Sequence, residues 1–381
     1  MTIVQYVIIT MILFFNIVEA VEIDISSSSM KVIDSQTIKV KAIQTLGDTY
    51  SAEWRWNPEQ NTWVLNNYNI QSWKIHANMP TGGNWGATAV WNNILYVIGG
   101  ADRSSSVEAY NSISNQWIVK NDYPVGFLVR AITVGDNIYV IGDKGEFWKY
   151  FPFNDTWLIL PNTPTPKWIS ELAEVSGKIY AFGGRTPSSS NTPVFNTVWE
   201  YNPVTGIWIT KAPMPTARYG SATAVINNKI YVFGGNYGNS AAEVYTPATD
   251  SWEVISDIPF PSVGWDIAAS SGNNIVMVIA GDLSDQGKTI IYNPITDTYQ
   301  LGEQISILRH NYIMGDSINE RVMVVGGSAE LAKNKLESYL PSNTIAIRST
   351  PIKRNTSIVN IKQAQLYFQK HEKKEKALLR E

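Results

Sequence analysis

Aromatic and cationic side chains recur at one position of this chain. A few residues after each of Pro80, Pro124, Pro164, Pro215, Pro259 and Ser306 stand, in turn, Trp85, Arg130, Lys167 with Trp168, Arg218 with Tyr219, Trp265 with Asp266, and Arg309 with His310. Aromatic faces can stack on a sugar ring or an apolar side chain, and a guanidinium can grip a carboxylate through two parallel charge-assisted hydrogen bonds. If the six positions converge, they form a cationic, aromatic ring suited to a protein or glycan ligand carrying negative charge, with Arg218 and Arg309 its leading cations. Asp266, Glu171 and His310 are the nearest groups able to move a proton. Solvated surface polarity explains them equally well, so no catalytic residue is assigned. The chain has no cysteine and only three histidines, His76, His310 and His371. Thiolate chemistry and disulfides are thereby excluded, and neither a metal site nor a cofactor is expected.

The elements that must position these residues announce themselves by repetition. Trp73, Trp117, Trp157, Trp208 and Trp252, with Tyr299 in the same role, are 44, 40, 51, 44 and 47 residues apart. Seven residues before each of the last five stands a tyrosine: Tyr110, Tyr150, Tyr201, Tyr245 and Tyr292. Beyond each proline or Ser306 come an alternating apolar stretch, a turn, a second apolar stretch and a glycine doublet or its relic. The doublets are Gly99-Gly100, Gly142-Asp143, Gly183-Gly184, Gly234-Gly235, Ala280-Gly281 and Gly326-Gly327. Apolar alternation around turns such as Asn92-Asn93, Asp136-Asn137 and Asn227-Asn228 predicts a β-hairpin, because asparagine tolerates the positive φ of a tight turn. A third strand carries the tyrosine and a fourth the tryptophan. Such four-stranded antiparallel units at periods of 40 to 50 residues close radially as the blades of a β-propeller.

The doublets, the spaced Tyr and Trp, and Met214-Pro-Thr-Ala-Arg218 resemble the kelch repeat over residues 53 to 342. The fold expected is all-β: a kelch-type β-propeller of six blades, with seven the alternative. Trp117, Trp157, Trp208 and Trp252 should lie in equivalent, largely buried positions. No tryptophan stands seven residues after Tyr339, so the last blade needs a strand from the N-terminal side. Glu53–Trp63, with Trp56 and Trp63 seven apart, repeats the third-to-fourth-strand pattern, and residues 21–44 could supply a degenerate seventh blade. Glycine-doublet loops and post-proline connectors should share one face, with Arg185–Val198 its longest loop. The resemblance also implies a competing role for the repeated arginine, bracing neighbouring blades. Some kelch propellers are copper oxidases built on a Tyr-Cys cofactor, which a chain without cysteine cannot assemble. Others resemble N-acetylneuraminate epimerase, a sugar-interconverting enzyme, and that activity is the alternative to a binding scaffold.

Composition agrees with a folded all-β chain: 44% hydrophobic, 17% charged and 12% aromatic residues. Residues 343–381 carry nine Lys/Arg against three Asp/Glu, so the chain before them holds −9 against a net charge of −3. An acidic body argues against nucleic acid, which asks for a concentrated positive footprint. Residues 1–20, with an apolar run from Val7 to Val18, have the shape of a signal peptide cleaved after Ala20, which implies a secreted, periplasmic or envelope location. Residues 21–52 are expected to form an extension, 53–349 the propeller and 350–381 a basic tail, helical from Ile361. Membrane contact is expected only through an uncleaved N-terminus or that tail.

Overall fold

A computed structural model describes the backbone of residues 23–34, 37–44, 49–57, 62–70, 267–271, 276–280, 286–287 and 352–353. It describes side chains as well at 73–83, 85–100, 105–124, 129–165, 167–186, 193–235, 239–259, 274–275, 288–302, 304–307, 314–319, 321–327 and 332–339. The signal-peptide segment and the tail beyond residue 353 lie outside the described residues. The chain divides into two units, one of residues 1–71 and 345–381 and one of residues 72–344.

The second unit is a six-bladed β-propeller. Its first blade comprises Ala87–Trp91, Ile94–Ile98, Val107–Asn111 and Gln116–Lys120, and the second Val129–Val134, Asn137–Gly142, Phe147–Phe151 and Thr156–Leu160. Glu171–Val175, Lys178–Phe182, Val198–Asn202 and Ile207–Lys211 make the third. Ala222–Ile226, Lys229–Phe233, Ala242–Thr246 and Ser251–Ile255 make the fourth. The fifth is Ile267–Ser271, Asn274–Ala280, Gln286–Asn293 and Thr298–Leu301. The sixth joins Met314–Ile318, Arg321–Val325 and Leu336–Tyr339 to Trp73–Ile75. Each blade's first strand touches those of the blades on either side, so the six close into an inner ring. Turn residues Asn92, Asn93, Asn227 and Asn228 take φ between 49° and 61°, as a two-residue hairpin turn demands. In the second blade the turn falls at Gly135-Asp136, one residue earlier than expected, and Asn137 begins the strand.

The seven-residue Tyr–Trp spacing is cross-strand pairing around a four-residue turn. Tyr110 faces Trp117, Tyr150 Trp157, Tyr201 Trp208, Tyr245 Trp252 and Tyr292 Tyr299. Tyr339 obtains its tryptophan from the other end of the unit, in register with Trp73 at a ring separation of 5.0 Å. The four repeated tryptophans from Trp117 to Trp252 occupy equivalent, partly buried positions against the core, whereas Trp73 is 4% exposed. They sit on outermost strands, where one ring edge stays at the surface while the indole N–H reaches back towards the preceding blade. Trp117 Nε1 donates to Ala77 O at 2.9 Å and Trp252 Nε1 to Ala212 O at 2.9 Å.

The hydrophobic core lies between blades. One cluster joins first-blade Tyr96 and Ile98 to second-blade Val129 and Tyr150, and another joins sixth-blade Met323 and Val325 to first-blade Leu95 and Val97. Where backbone ladders cannot cross from blade to blade, side chains do: Ser170 Oγ lies 2.7 Å from Ser221 Oγ, and Thr88 Oγ1 donates to Gly315 O at 2.7 Å. Tyr245 OH donates to Asp250 at 2.6 Å, and that carboxylate also accepts Ala212 N–H at 2.9 Å, fastening the fourth blade to the end of the third.

Glu53–Trp63 does not close the propeller. Thr49–Asn57 and Thr62–Ile70 pair with each other in the first unit, in a five-stranded sheet with Ile23–Asp34, Thr37–Gln44 and Ile352–Lys353. Residues 21–44 therefore supply no seventh blade, and the described blades begin at Trp73 rather than at residue 53. The beginning of the expected tail, Ile352–Lys353, is a short strand paired with Thr62–Trp63.

Candidate ligand-binding mouth

The glycine doublets seat the post-proline connectors. Gly183 and Gly184 hold φ of 52° and 103°, in the region that glycine enters without a Cβ penalty. A Cβ on Gly184 would collide with the carbonyl oxygen of Trp168, and one on Gly183 with that of Arg218. The third blade's doublet therefore lets two connectors, its own and the next blade's, lie directly on its backbone. Two hydrogen bonds of 3.0 Å between the backbones of Trp168 and Arg185 lock the first of these contacts, and Gly184 N–H to Arg218 O at 2.8 Å the second.

Trp168 is the centre of the resulting cluster. It is 4% exposed, with Trp85 stacked on it at 6.0 Å and 27°, and Tyr219 inclined to it at 6.4 Å. The Arg130 guanidinium lies 5.6 Å from its ring centre and that of Arg185 5.2 Å, with Arg185 also 4.7 Å from Tyr219. Trp85 holds φ of 65°, an uncommon conformation for a bulky residue and one that persists only where the surroundings over-determine it. Trp85, Arg130, Arg185 and Tyr219 are all half-buried.

Below this cluster the inner strands add charge. Arg130 Nε donates to Ser170 O at 2.7 Å and lies 3.5 Å from Glu171 Oε2, and its NH1 donates to Val129 O at 3.0 Å. Burial pushes the Glu171 carboxyl above the usual carboxylate range, with Arg130 pulling the other way and Asp316 adding to the rise. Asp316 itself is pushed up to about 6 by burial, against the hydrogen bonds it accepts from the Ser317 and Val90 backbone. Glu171 keeps 24% of its side-chain exposure, so solvent still reaches its side chain.

Of the residues expected to converge, Trp85, Arg130, Trp168 and Tyr219 do so. Lys167 and Arg218 turn the other way, into the blades. Lys167 is 1% exposed, with Nζ hydrogen-bonded to Thr197 Oγ1 and resting 4.1 Å from the Trp199 ring centre, and burial lowers its pKa to about 7. Arg218 is fully buried, with NH2 2.8 Å from Glu243 Oε2 in an ion pair and NH1 donating to Gly234 O and Ala241 O at 2.9 Å. The NH2 contact is close but poorly aligned for a hydrogen bond, so its attraction is chiefly ionic. Arg218 is thus committed to holding the connector on its own blade. Trp265, Asp266, Arg309 and His310 lie outside the described residues. Sequence reasoning passed over Arg185, whose signal was its place immediately after Gly183-Gly184, at the head of the longest loop.

The Kelch motif family matches residues 86–122, 171–215 and 217–259. The chain is 26% identical over 271 residues to Kelch-like protein terF of Aspergillus terreus, covering 62% of this chain and 58% of that protein. It is 29% identical over 286 residues to Kelch repeat and BTB domain-containing protein 1 of cowpox virus, covering 68% of this chain and 46% of that protein. The chain thus spans about half the length of such relatives. The solved structure described as "Structure of YjhT" superposes with a TM-score of 0.60 at 14% identity, over 69% of this chain and 95% of that one, a likeness of fold alone.

Proposed function

Because the chain is a kelch-repeat β-propeller, we propose that it is a binding scaffold whose partner, a protein segment or a glycan, docks at the mouth built from Trp85, Arg130, Trp168, Arg185 and Tyr219. The observation that carries this reading is the stack itself. Aromatic rings and guanidinium groups from the entries to four successive blades and one doublet loop meet around Trp168, and four of the five remain half-exposed. A propeller needs none of them for its interblade core, which is already filled by the third-strand tyrosines and their neighbours. Rigid aromatic anchors with a cation beside them are the composition that concentrates binding energy in protein interfaces. A protein segment is favoured by the kelch-repeat relatives, among them the cowpox protein whose name couples kelch repeats with a BTB domain.

The reading is tested by selecting binding peptides from a displayed library against the purified full chain. The selected peptides are then measured against Trp85→Ala, Tyr219→Ala and Val204→Ser, the last on a distant turn where Val204 is 93% exposed. The mouth variants are expected to weaken most of the selected peptides at least tenfold while Val204→Ser leaves them unchanged. Peptides indifferent to both mouth variants would overturn the assignment.

A further inference from the structure

The cations grouped near the mouth differ in what already answers their charge. Arg130 gives its donors to two carbonyls and stands beside Glu171. Arg218 is consumed by Glu243 inside the fourth blade, and Lys167 lies buried against Thr197, Phe195 and Trp199. Arg185 is different. Its backbone is pinned by the paired hydrogen bonds to Trp168, and its guanidinium packs against Trp168 and Tyr219. Among the described residues no carboxylate lies within ion-pair distance of it, and its Nε is buried with no hydrogen-bond partner.

Stacking occupies the faces of a guanidinium and leaves the N–H groups, which lie in its plane, unanswered by the rings. The two rings thereby hold the group in place and strip water from its faces without satisfying any of its five donors. A group so prepared meets a carboxylate with little further loss of side-chain freedom. The surroundings also limit the charge of what binds. Among the described residues Glu171 is close enough to Arg130 to hold that cation and Arg185 is the charge left for a ligand, which suits a carboxylate monoanion better than a phosphate dianion.

We propose that Arg185 gives the mouth a preference for a carboxylate carried beside an apolar or ring-shaped body, the carboxylate pairing with the guanidinium and the body lying on the half-exposed rings of Trp85 and Tyr219. The proposal rests on the mouth being the binding site. An acidic side chain of a peptide and an acidic sugar present the same chemistry, and the probes separate them.

Tryptophan fluorescence and calorimetry of the full chain, titrated into the millimolar range, compare acetyl-Phe-Glu amide with acetyl-Phe-Gln amide and glucuronate with glucose. One or both carboxylate probes are expected to bind about tenfold tighter than the neutral counterpart, which corresponds to about 1.4 kcal/mol. Arg185→Met should abolish the preference and Arg185→Lys restore only part of it, since an ammonium lacks the fork. The preference should stay level from pH 6 to 9, because arginine remains charged throughout, whereas a contribution from Lys167 would fade above pH 7. No saturable binding of either carboxylate probe, equal binding of anionic and neutral probes, or a preference that survives Arg185→Met would each overturn the proposal. If Trp85→Ala then still weakens the neutral probes, the mouth stands and only its selectivity is lost. If Trp85→Ala changes nothing, the binding site itself is misplaced.

Discussion

Replacing Lys167 by methionine, a side chain of similar length and no charge, tests how the propeller tolerates a cation beneath its mouth. Burial lowers the amine from 10.5 to about 7. The unfolded chain therefore binds more protons than the folded one across that range, and stability rises with pH until the unfolded lysine also loses its proton. At about 1.4 kcal/mol per pH unit the whole gap is worth roughly 5 kcal/mol, of which roughly 3 to 4 kcal/mol falls between pH 7 and 10. This is an upper bound, because the Trp199 and Phe195 rings favour the ammonium form and oppose the drop. Above pH 10 the sign reverses for another reason. Burial raises the pKa values of Tyr110, Tyr150, Tyr245 and Tyr292, so the unfolded chain ionises first and the fold weakens. That loss is common to both proteins and cancels in their difference. Guanidinium unfolding followed by tryptophan fluorescence at pH 7, 8, 9 and 10 should show Lys167→Met more stable than wild type at pH 7, with the advantage shrinking steadily towards pH 10. The absence of cysteine keeps thiol oxidation out of the alkaline arm. Parallel pH profiles would refute the reasoning, for they would mean that Lys167 stays charged throughout.

Arg218→Met leaves Glu243 buried without its cation and should cost about 3–5 kcal/mol of stability, whereas Arg218→Met with Glu243→Leu recovers most of the loss; unfolding curves of the four proteins of the cycle measure both. Gly184→Ala forces a Cβ against the Trp168 carbonyl at a φ that alanine avoids, so it should cost at least 1–3 kcal/mol and alter the near-ultraviolet dichroism of the Trp85–Trp168 stack. A leader cleaved after Ala20 would leave a mature chain beginning at Val21; an intact mass that retains residues 1–20 on exported protein would count instead for an uncleaved anchor.

What was legible in the sequence is what the fold repeats. A tyrosine and a tryptophan seven apart are cross-strand neighbours around a four-residue turn, and four registered copies, with Tyr292 and Tyr299 as a fifth, leave little freedom for any architecture but a ring of blades. The same rule explains where the reading overreached. Trp56 and Trp63 are also seven apart and also face each other across a hairpin, but in the sheet of the first unit. The spacing reports a hairpin, and membership of a blade depends on what packs against that hairpin, which spacing does not carry. At the mouth the ambiguity is one of direction. Lys167 and Trp168 are adjacent on a connector, as are Arg218 and Tyr219, and in each pair the cation enters the blade while the ring joins the cluster of the mouth. Residue type alone favours burying the aromatic. The decisive signal lay elsewhere: Glu243, two residues before Tyr245 in the third strand, is a buried carboxylate that requires a cation, and Arg218 supplies it. With that demand met inside the blade, the charge left for a ligand passes to Arg185, whose neighbours on the connectors are rings rather than carboxylates.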